Sequence, residues 1–177
     1  MLPAKVLPTV AALLLGLGVG AGPALAASGP SPAQIRAAIA QAKQSRDLWA
    51  TVNVCVPRRK PHTVGVRAQM PALGFPTLLS MQIQIEYWNK AQQRFERIPG
   101  AGSAKRLHLG SVTAGLEQGG YDFVFPAHAG LLRGTVTFRW QRAGRLLLTL
   151  SRHTSGGHPH ADQAIPARYS EATCRVS

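Results

Sequence analysis

From residue 48 onward, apolar and polar residues alternate along the chain, and this period of two constrains the fold more than any other feature of the sequence. Alternation of this kind predicts β-strands that turn one face toward a core and the other toward solvent. It is clearest over residues 48–56, 64–70, 81–88 and 134–140. Shorter candidate strands lie at residues 94–98, 106–112, 121–125, 146–152 and 172–176. Together these segments predict an all-β fold.

Turn-forming residues separate these segments, and no helical pattern falls between them. Residues 142–145 (Arg-Ala-Gly-Arg) are typical of a tight hairpin turn. Residues 154–168 are rich in glycine, proline, histidine and alanine and predict a long loop. Short strands with regular turns favour an antiparallel β-sandwich of about eight or nine strands, which we place at residues 48–177. Trp88 falls out of register with the alternation before it, so we expect it at a strand end on the rim.

A short helix is predicted before the first strand. Ser31 can cap it, Pro32 fits the first helical position, and Gln34 completes a capping box. The helix should run from Pro32 to about Arg46, with one narrow apolar stripe formed by Ile35, Ala38, Ile39 and Ala42. Residues 28–47 are therefore interpreted as a helix and linker that either packs on the sandwich or frays.

The first 27 residues have the pattern of a secretory signal peptide. Lys5 gives a short positive region, residues 10–17 form an apolar region, and residues 24–26 (Ala-Leu-Ala) offer small residues for cleavage. The apolar stretch is short and broken by glycines, which favours a cleaved signal over an uncleaved membrane anchor. We therefore expect residues 1–27 to be removed and the mature chain to be secreted, with no transmembrane segment after cleavage.

The two cysteines, Cys55 and Cys174, predict a disulfide, since an even pair in an exported protein is usually bonded. A loop of about 120 residues would gain roughly 4–5 kcal/mol from such a bridge. A reactive thiol is disfavoured by the lack of a CxxC motif. Alternation puts Cys55 on the face opposite Val52 and Val54. We therefore expect a staple from the first strand to the last, near an edge or outer face, formed within one chain or between two.

The chain is strongly basic, with 20 Lys and Arg residues against 7 acidic residues and a formal net charge of +13. A field of this sign attracts polyanions. Arg133 and Arg139 fall on one strand face with threonines between them. If the strands that carry Arg67 with Gln69, and Gln84 with Glu86, are neighbours, one sheet face is polar and cationic. It could bind an anionic cell-surface polymer or another surface protein; the alternative is a solvated face.

Sequence-specific binding of nucleic acid is not expected, because aromatic residues make up only 6% of the chain and nucleic-acid readers interleave aromatic and basic residues. The hydrolase motifs GxSxG, HExxH and SxxK and a glycine-rich phosphate loop do not occur in the sequence. Glu86 with His108 and an arginine could act as a general acid–base set, which we consider the weaker hypothesis. We assign no catalytic residues.

The late loop offers a candidate set of metal ligands within ten residues: His153, His158, His160 and Asp162. Imidazole and carboxylate groups suit zinc or copper. A formed site also needs ligands held in place by neighbouring groups, and a glycine-rich loop does not supply them. We therefore assign no metal ligand and no cofactor.

Four runs of sequence resemble one protein group: residues 48–55 (LWATVNVC), 65–71 (GVRAQMP), 132–140 (LRGTVTFRW) and 169–174 (YSEATC). The chain is similar in these runs to uncharacterised secreted proteins of actinobacteria and related high-GC bacteria with an immunoglobulin-like β-sandwich. The resemblance implies that fold, a bridge between Cys55 and Cys174, and secretion. It implies no activity and no catalytic residues.

These observations together predict a secreted, disulfide-stapled, basic protein with an antiparallel immunoglobulin-like β-sandwich. We expect a non-catalytic extracellular binding or structural module. The alternative is a secreted enzyme or metal-binding protein that uses the histidine-rich loop at residues 153–162.

Overall fold

The computed structural model describes residues 29–177, so the predicted signal peptide at residues 1–27 lies outside the described residues. Within residues 29–177 there are one α-helix, one short 3-10 helix at Ala101–Ser103 and nine β-strands. The helix is α1 (Pro32–Gln44), and the strands are β1 (Trp49–Cys55), β2 (Thr63–Pro71), β3 (Thr77–Asn89), β4 (Arg94–Arg97), β5 (Ala104–Val112), β6 (Leu116–Val124), β7 (Gly130–Arg142), β8 (Arg145–His153) and β9 (Cys174–Val176). The predicted all-β class is confirmed.

The strands form two antiparallel sheets. Sheet A has the order β1-β2-β6. Sheet B has the order β4-β3-β7-β8, with β5 pairing β3 on the same side as β4 and β9 pairing β7 on the same side as β8. The core lies between the sheets. Its fully buried side chains include Val52, Val66 and Phe123 from sheet A and Ile83, Phe138 and Trp140 from sheet B.

Helix α1 begins with the predicted capping box, in which Gln34 N donates to Ser31 Oγ and Ser31 N donates to Gln34 Oε1. It ends at Gln44, two residues before the predicted Arg46. The helix packs on the body of the protein, with Ala42 buried and the rest of its apolar stripe half-buried against the core. Arg152 on β8 also donates to the Lys43 carbonyl, at 3.3 Å.

The predicted hairpin between β7 and β8 is confirmed. Ala143 and Gly144 have φ values of 46° and 74°. Positive φ at both central residues is the geometry of a type I′ turn, which matches the twist of the flanking strands. Glycine adopts this backbone without steric cost, which explains its place in the turn.

Cys55 and Cys174 are joined by a disulfide within the chain, with their Cα atoms 5.5 Å apart. The bridge links the first strand to the last at the edges of the two sheets, as predicted, but the alternative of an outer-face position is wrong. A bulge between Val52 and Val54 inserts one extra residue and reverses the alternation of β1. Cys55 therefore turns toward the core, and its partner Cys174 is only 1% exposed. The bridge ties the two sheets together on their inner sides.

The loop between β8 and β9, residues 154–173, packs on β1. The backbone groups of Val52 and Glu171 exchange hydrogen bonds of 2.9 and 3.1 Å, and Ile165 N donates to the Asn53 carbonyl. These contacts continue the hydrogen bonding of sheet A past β1, and six of the seven β1 residues are buried. The long loop was predicted, but its attachment was not: hydrogen bonds hold it against β1, and it covers that strand.

The remaining expectations concern Trp88 and the membrane. Trp88 is the next-to-last residue of β3 and is half-buried, so its predicted strand-end position is confirmed. Within residues 29–177 no helix has the length and apolar character needed to cross a membrane.

Candidate functional site

The outer face of sheet B carries a continuous row of polar side chains. In the register of β3 and β7, Ser80 lies opposite Arg139, Gln82 opposite Thr137, Gln84 opposite Thr135 and Glu86 opposite Arg133. The intervening residues Met81, Ile83 and Ile85 are at most 1% exposed and face the core. Since successive side chains of a strand point to opposite sides, the polar set faces outward. We call this surface, with the outward residues of β4, β5 and β8 beside it, the polar face.

The polar face contains the predicted row from Arg133 to Arg139, with Gln84 and Glu86 beside it. Arg67 and Gln69 would join it only if their strand lay beside β3 or β7, and it does not, because β2 belongs to sheet A. Arg67 donates to Gln163 of the loop over sheet A, and burial lowers its pKa despite the nearby carboxylates. The alternation gave the outward direction of each side chain but did not identify the neighbouring strands.

Additional basic side chains reach the polar face from the strands on the far side of β3. Arg97 of β4 lies opposite Glu86, and Arg106 and His108 of β5 lie opposite Gln82 and Ser80. All three residues are exposed. The alternation predicted the strands that carry Arg97 and Arg106 but did not identify these two residues as part of a site, because it does not show which strands pair.

A polar cavity of about 230 Å³ lies in the middle of the polar face, lined by Gln82, Gln84, Arg97, Thr135, Thr137 and Arg139. Its volume is below the range of about 300–1,000 Å³ that is usual for sites that enclose drug-sized ligands. The cavity therefore suits one small polar unit. Among residues 29–177, neither Arg97 nor Arg139 forms an ion pair.

The threonines and one glutamine of the polar cavity are held in place by neighbouring groups. Thr135 Oγ1 is 2.9 Å from His153 Nδ1, and Thr137 Oγ1 is 2.9 Å from Ser151 Oγ on β8. Gln84 Nε2 donates to the Ile98 carbonyl at 3.1 Å, in the segment after β4. These contacts fix the floor of the cavity before any ligand arrives.

At one end of the polar face, Glu86 is held in a local cluster. Its Oε2 accepts from Arg133 Nε at 2.7 Å, and the guanidinium carbon of Arg133 lies 4.1 Å from the centre of the Phe95 ring. Trp88 meets Phe95 edge to face at 5.1 Å. Glu86 is nearly buried, and its pairing with Arg133 leaves the other arginines to set the charge of the face.

The acidic residues are distributed unevenly between the sheets. All seven lie within the described range, and Glu86 alone among them is on the polar face. Glu96 lies on the other side of β4, where hydrogen bonds from Asn89, Arg94 and Tyr87 hold its pKa below the ordinary value. The remaining five belong to sheet A, its covering loop or the turn before β1: Asp47, Glu117, Asp122, Asp162 and Glu171.

The four candidate metal ligands of the late loop take separate partners. His153 lies on the polar face beside Thr135, whereas the His158 ring stacks on Trp49 at 4.7 Å. The His160 carbonyl accepts from Gln118, and the Asp162 carbonyl accepts from Asn53 Nδ2. Over residues 29–177, no three His, Cys, Asp or Glu side chains are grouped so that they could hold a metal ion.

Glu86 and His108 do not form a common acid–base site. His108 pairs with Ser80, six residues before Glu86 on the same strand. At about 3.3 Å per residue this places the two positions roughly 20 Å apart. They lie on the same face but cannot act on the same substrate atom.

A cavity of about 650 Å³ lies between α1 and the segment Leu73–Pro76. Small, apolar and amide side chains line most of it, and its charged residue, Arg142, is placed over the Phe75 ring. It brings no set of reactive or ligand-binding groups together. We interpret it as the gap where the helix meets the sheets.

The stack of His158 on Trp49 anchors the loop over sheet A. His158 Nε2 is hydrogen-bonded to Ser155 Oγ at 3.0 Å, and its backbone N donates to Ser170 Oγ at 2.8 Å. Burial lowers the pKa of His158 below its ordinary value of 6.5. The folded state therefore binds a proton at His158 less readily than the unfolded chain does, and the stabilisation from neutral His158 is lost as pH falls below 6.5.

We expect the loop to open more readily below pH 6.5 than above it. The amides of Val52 and Glu171 bond the loop to β1. In the wild type, their protection factors against hydrogen exchange should decrease as the pH is lowered below 6.5. In His158→Gln the protection should be insensitive to pH over the same range. The exposed His160→Gln variant is the control and should behave as wild type; equal pH dependence in His158→Gln would contradict the assignment.

The comparisons with known proteins give no relative from which a function could be transferred. No family model and no curated protein matches the chain. A putative beta-galactosidase from Bacteroides fragilis is similar in structure over 62% of this chain and 16% of that chain, with a TM-score of 0.33 and 9% sequence identity. The chain thus spans a small part of that protein, and a similarity at this level supports neither a fold assignment nor an activity.

Proposed function

We propose that this chain is an exported, non-catalytic binding protein with an immunoglobulin-like β-sandwich, whose polar face binds an anionic cell-surface polymer. The observation that carries the proposal is the pair Arg97 and Arg139, which bracket the polar cavity without forming an ion pair in the described residues. Arginines left without acidic partners are available to bind an anion.

The distribution of charge supports a polyanion as the ligand. Five of the seven acidic residues belong to sheet A and the segments around it, and Glu86 on the polar face is already paired with Arg133. The polar face is thus the more cationic side of a chain with a net charge of +13. A surface of one sign attracts and orients a polymer of the other.

The disulfide supports export, and the arrangement of the two sheets supports the sandwich fold. Disulfides persist in oxidising compartments, and the Cys55–Cys174 bridge fits that environment. Two antiparallel sheets with a core between them are the arrangement expected of a β-sandwich. The predicted signal peptide at residues 1–27 is the remaining support for secretion.

The two competing hypotheses have less support. A partner protein normally meets an apolar centre within its interface, whereas the cavity lining is polar throughout. A metal-dependent role for residues 153–162 would need side chains that converge, and over residues 29–177 no three His, Cys, Asp or Glu side chains are grouped so that they could hold a metal ion.

Removing the arginines of the polar face should weaken binding to a polyanion. We expect the triple variant Arg97→Gln, Arg106→Gln and Arg139→Gln to bind polygalacturonate about tenfold more weakly, because each exposed charge pair contributes about 0.2–1 kcal/mol. Wild-type binding should also weaken between about 0.1 M and about 1 M salt, where the Debye length falls from about 10 Å to about 3 Å. Affinity is measured by titration calorimetry.

The matched control removes three charges elsewhere. Arg36, Arg58 and Arg59 are exposed and lie on α1 and the β1–β2 turn, so their triple Gln variant has the same net charge as the test variant. The control should keep most of the wild-type affinity. Equal loss in both variants would show that net charge alone drives binding, and a wild type that binds no polyanion would contradict the proposal outright.

A further inference from the structure

The floor of the polar cavity is a square of four neutral polar side chains. Gln82 lies opposite Thr137 and Gln84 opposite Thr135 in the register of β3 and β7. Arg139 follows Thr137 on β7, on the same face, and Arg97 reaches the opposite end from β4. Amides and hydroxyls thus lie between two guanidinium groups in a space of about 230 Å³.

Several groups of this floor are available to a ligand. Among residues 29–177 the Gln82 side chain forms no hydrogen bond, and Gln84 uses its Nε2 for the Ile98 and Ser103 carbonyls. This leaves the Gln84 Oε1 free to accept a hydrogen bond. The Thr135 and Thr137 hydroxyls are each positioned by a single side chain of β8 and can take a second partner.

This combination matches the chemistry of an acidic sugar. A pyranose ring presents hydroxyl groups on several sides, which need amide and hydroxyl partners. A carboxylate suits the planar fork of arginine, which binds it through two parallel hydrogen bonds. The small cavity volume fits one sugar ring rather than a larger molecule.

Two other classes of ligand fit the lining less well. The side chains of a partner protein bring aliphatic carbon, and the cavity has no apolar side chain to receive it. Bases of single-stranded nucleic acid stack on aromatic rings, and no aromatic residue lines the cavity. Trp88 and Phe95 lie beyond Glu86 at the end of the face.

We infer that the polar cavity is a subsite for one uronate unit of an acidic polysaccharide. This inference rests on the proposed function and specifies its ligand class. Arg139 binds the carboxylate of this unit, Arg97 at the opposite end of the cavity meets the carboxylate of an adjacent unit, and the glutamines and threonines bind the ring hydroxyls. The rest of the polar face attracts the neighbouring acidic units of the polymer by charge.

The test uses trigalacturonate and its methyl ester, which present the same sugars with and without the negative charges. The full exported chain should bind trigalacturonate about tenfold more tightly than the ester. Changes in NMR chemical shift should concentrate at the backbone amides of Thr135 and Thr137. Binding of the ester with equal affinity, or shifts confined to other strands, would overturn the inference.

Two variants that preserve charge separate recognition from general attraction. Arg139→Lys keeps the positive charge but lacks the planar fork of the guanidinium group. Gln82→Ala removes an uncharged side chain from the cavity floor. Each variant should bind trigalacturonate about 3- to 10-fold more weakly. The matched controls Arg145→Lys and Gln92→Ala lie at exposed positions outside the cavity and should bind as wild type. Melting temperatures confirm that the variants are folded.

The outcomes distinguish failure of this inference from failure of the proposed function. If polygalacturonate binds with the expected dependence on the surface arginines but Arg139→Lys and Gln82→Ala match wild type, the face senses charge alone and the subsite is wrong. If polyphosphate at equal charge concentration competes as strongly as trigalacturonate does, the subsite is wrong for the same reason. If no polyanion binds, the proposed function fails and the subsite fails with it.

Discussion

Replacing both half-cystines by alanine is expected to lower the free energy of unfolding by about 2–5 kcal/mol. The bridge joins residues 119 positions apart, so the unfolded chain gains much conformational freedom when it is removed. In the folded state β9 has only three residues and pairs with β7 alone among the described strands. The disulfide is thus the main covalent restraint on the end of the chain.

Urea unfolding followed by circular dichroism measures this effect in the double variant Cys55→Ala and Cys174→Ala. The wild type in reductant is the matched control, since it loses the bond without any change of side-chain volume beyond the added hydrogens. Both samples should lose similar stability. A loss below about 1 kcal/mol in both would mean that the sheets hold β9 in place without the bridge.

Trp140→Ala is expected to cost about 3–5 kcal/mol, the usual range for removal of a fully buried aromatic side chain. Trp140 is 0% exposed in the core. Its Nε1 donates to the Pro71 carbonyl at 2.8 Å and so connects sheet B to the end of β2 in sheet A. The substitution leaves a large cavity and removes the partner of that carbonyl, and both effects destabilise the folded state.

Trp88→Ala provides the matched control for this prediction. Trp88 is half-buried at the end of β3, with Phe95 as its aromatic neighbour, so its removal should cost less than half as much. Trp140→Phe should fall between the two, since it keeps most of the volume but loses the hydrogen bond. Equal costs for the alanine variants in chemical unfolding would show that Trp140 is not the packing centre of the core.

The sequence predicted most of the strands well because they follow the alternation of a half-buried sheet. The segments around Ile83 and Val136 carry apolar side chains at every second position, and these are the residues at the centre of the core. The capping box at Ser31 was predicted for the same reason, since its signal is local. Local patterns were sufficient wherever the structure depends on near neighbours in sequence.

The features that were missed depend on partners distant in sequence. The bulge in β1 has no glycine to mark it and is defined only by its register with β2. It reversed the direction of Cys55 and made the outer-face prediction wrong. Arg67 would have joined the cationic face had β2 been a neighbour of β3 or β7, but it bonds to Gln163 of the late loop, because outward direction does not specify which sheet a strand joins.

The polar face was predicted in part. Arg133, Thr135, Thr137 and Arg139 share one strand, so their common direction follows from their spacing alone. The cavity could not be predicted, because its arginines and glutamines come from three strands whose order the sequence does not reveal. The separation of the histidines of the late loop likewise depends on Trp49, which lies more than a hundred residues away.

The loop at residues 154–173 also determines which strand edge of sheet A another molecule can reach. An open strand edge is a template for intermolecular pairing and aggregation, and proteins often protect such edges with a covering segment. The bonds between Val52 and Glu171 cover the edge at β1. On the other side, β6 pairs with β2 alone among the described strands, and its Val124 is 72% exposed. Among the described strands of sheet A, β6 is therefore the edge that stays open to pairing with a strand of another molecule.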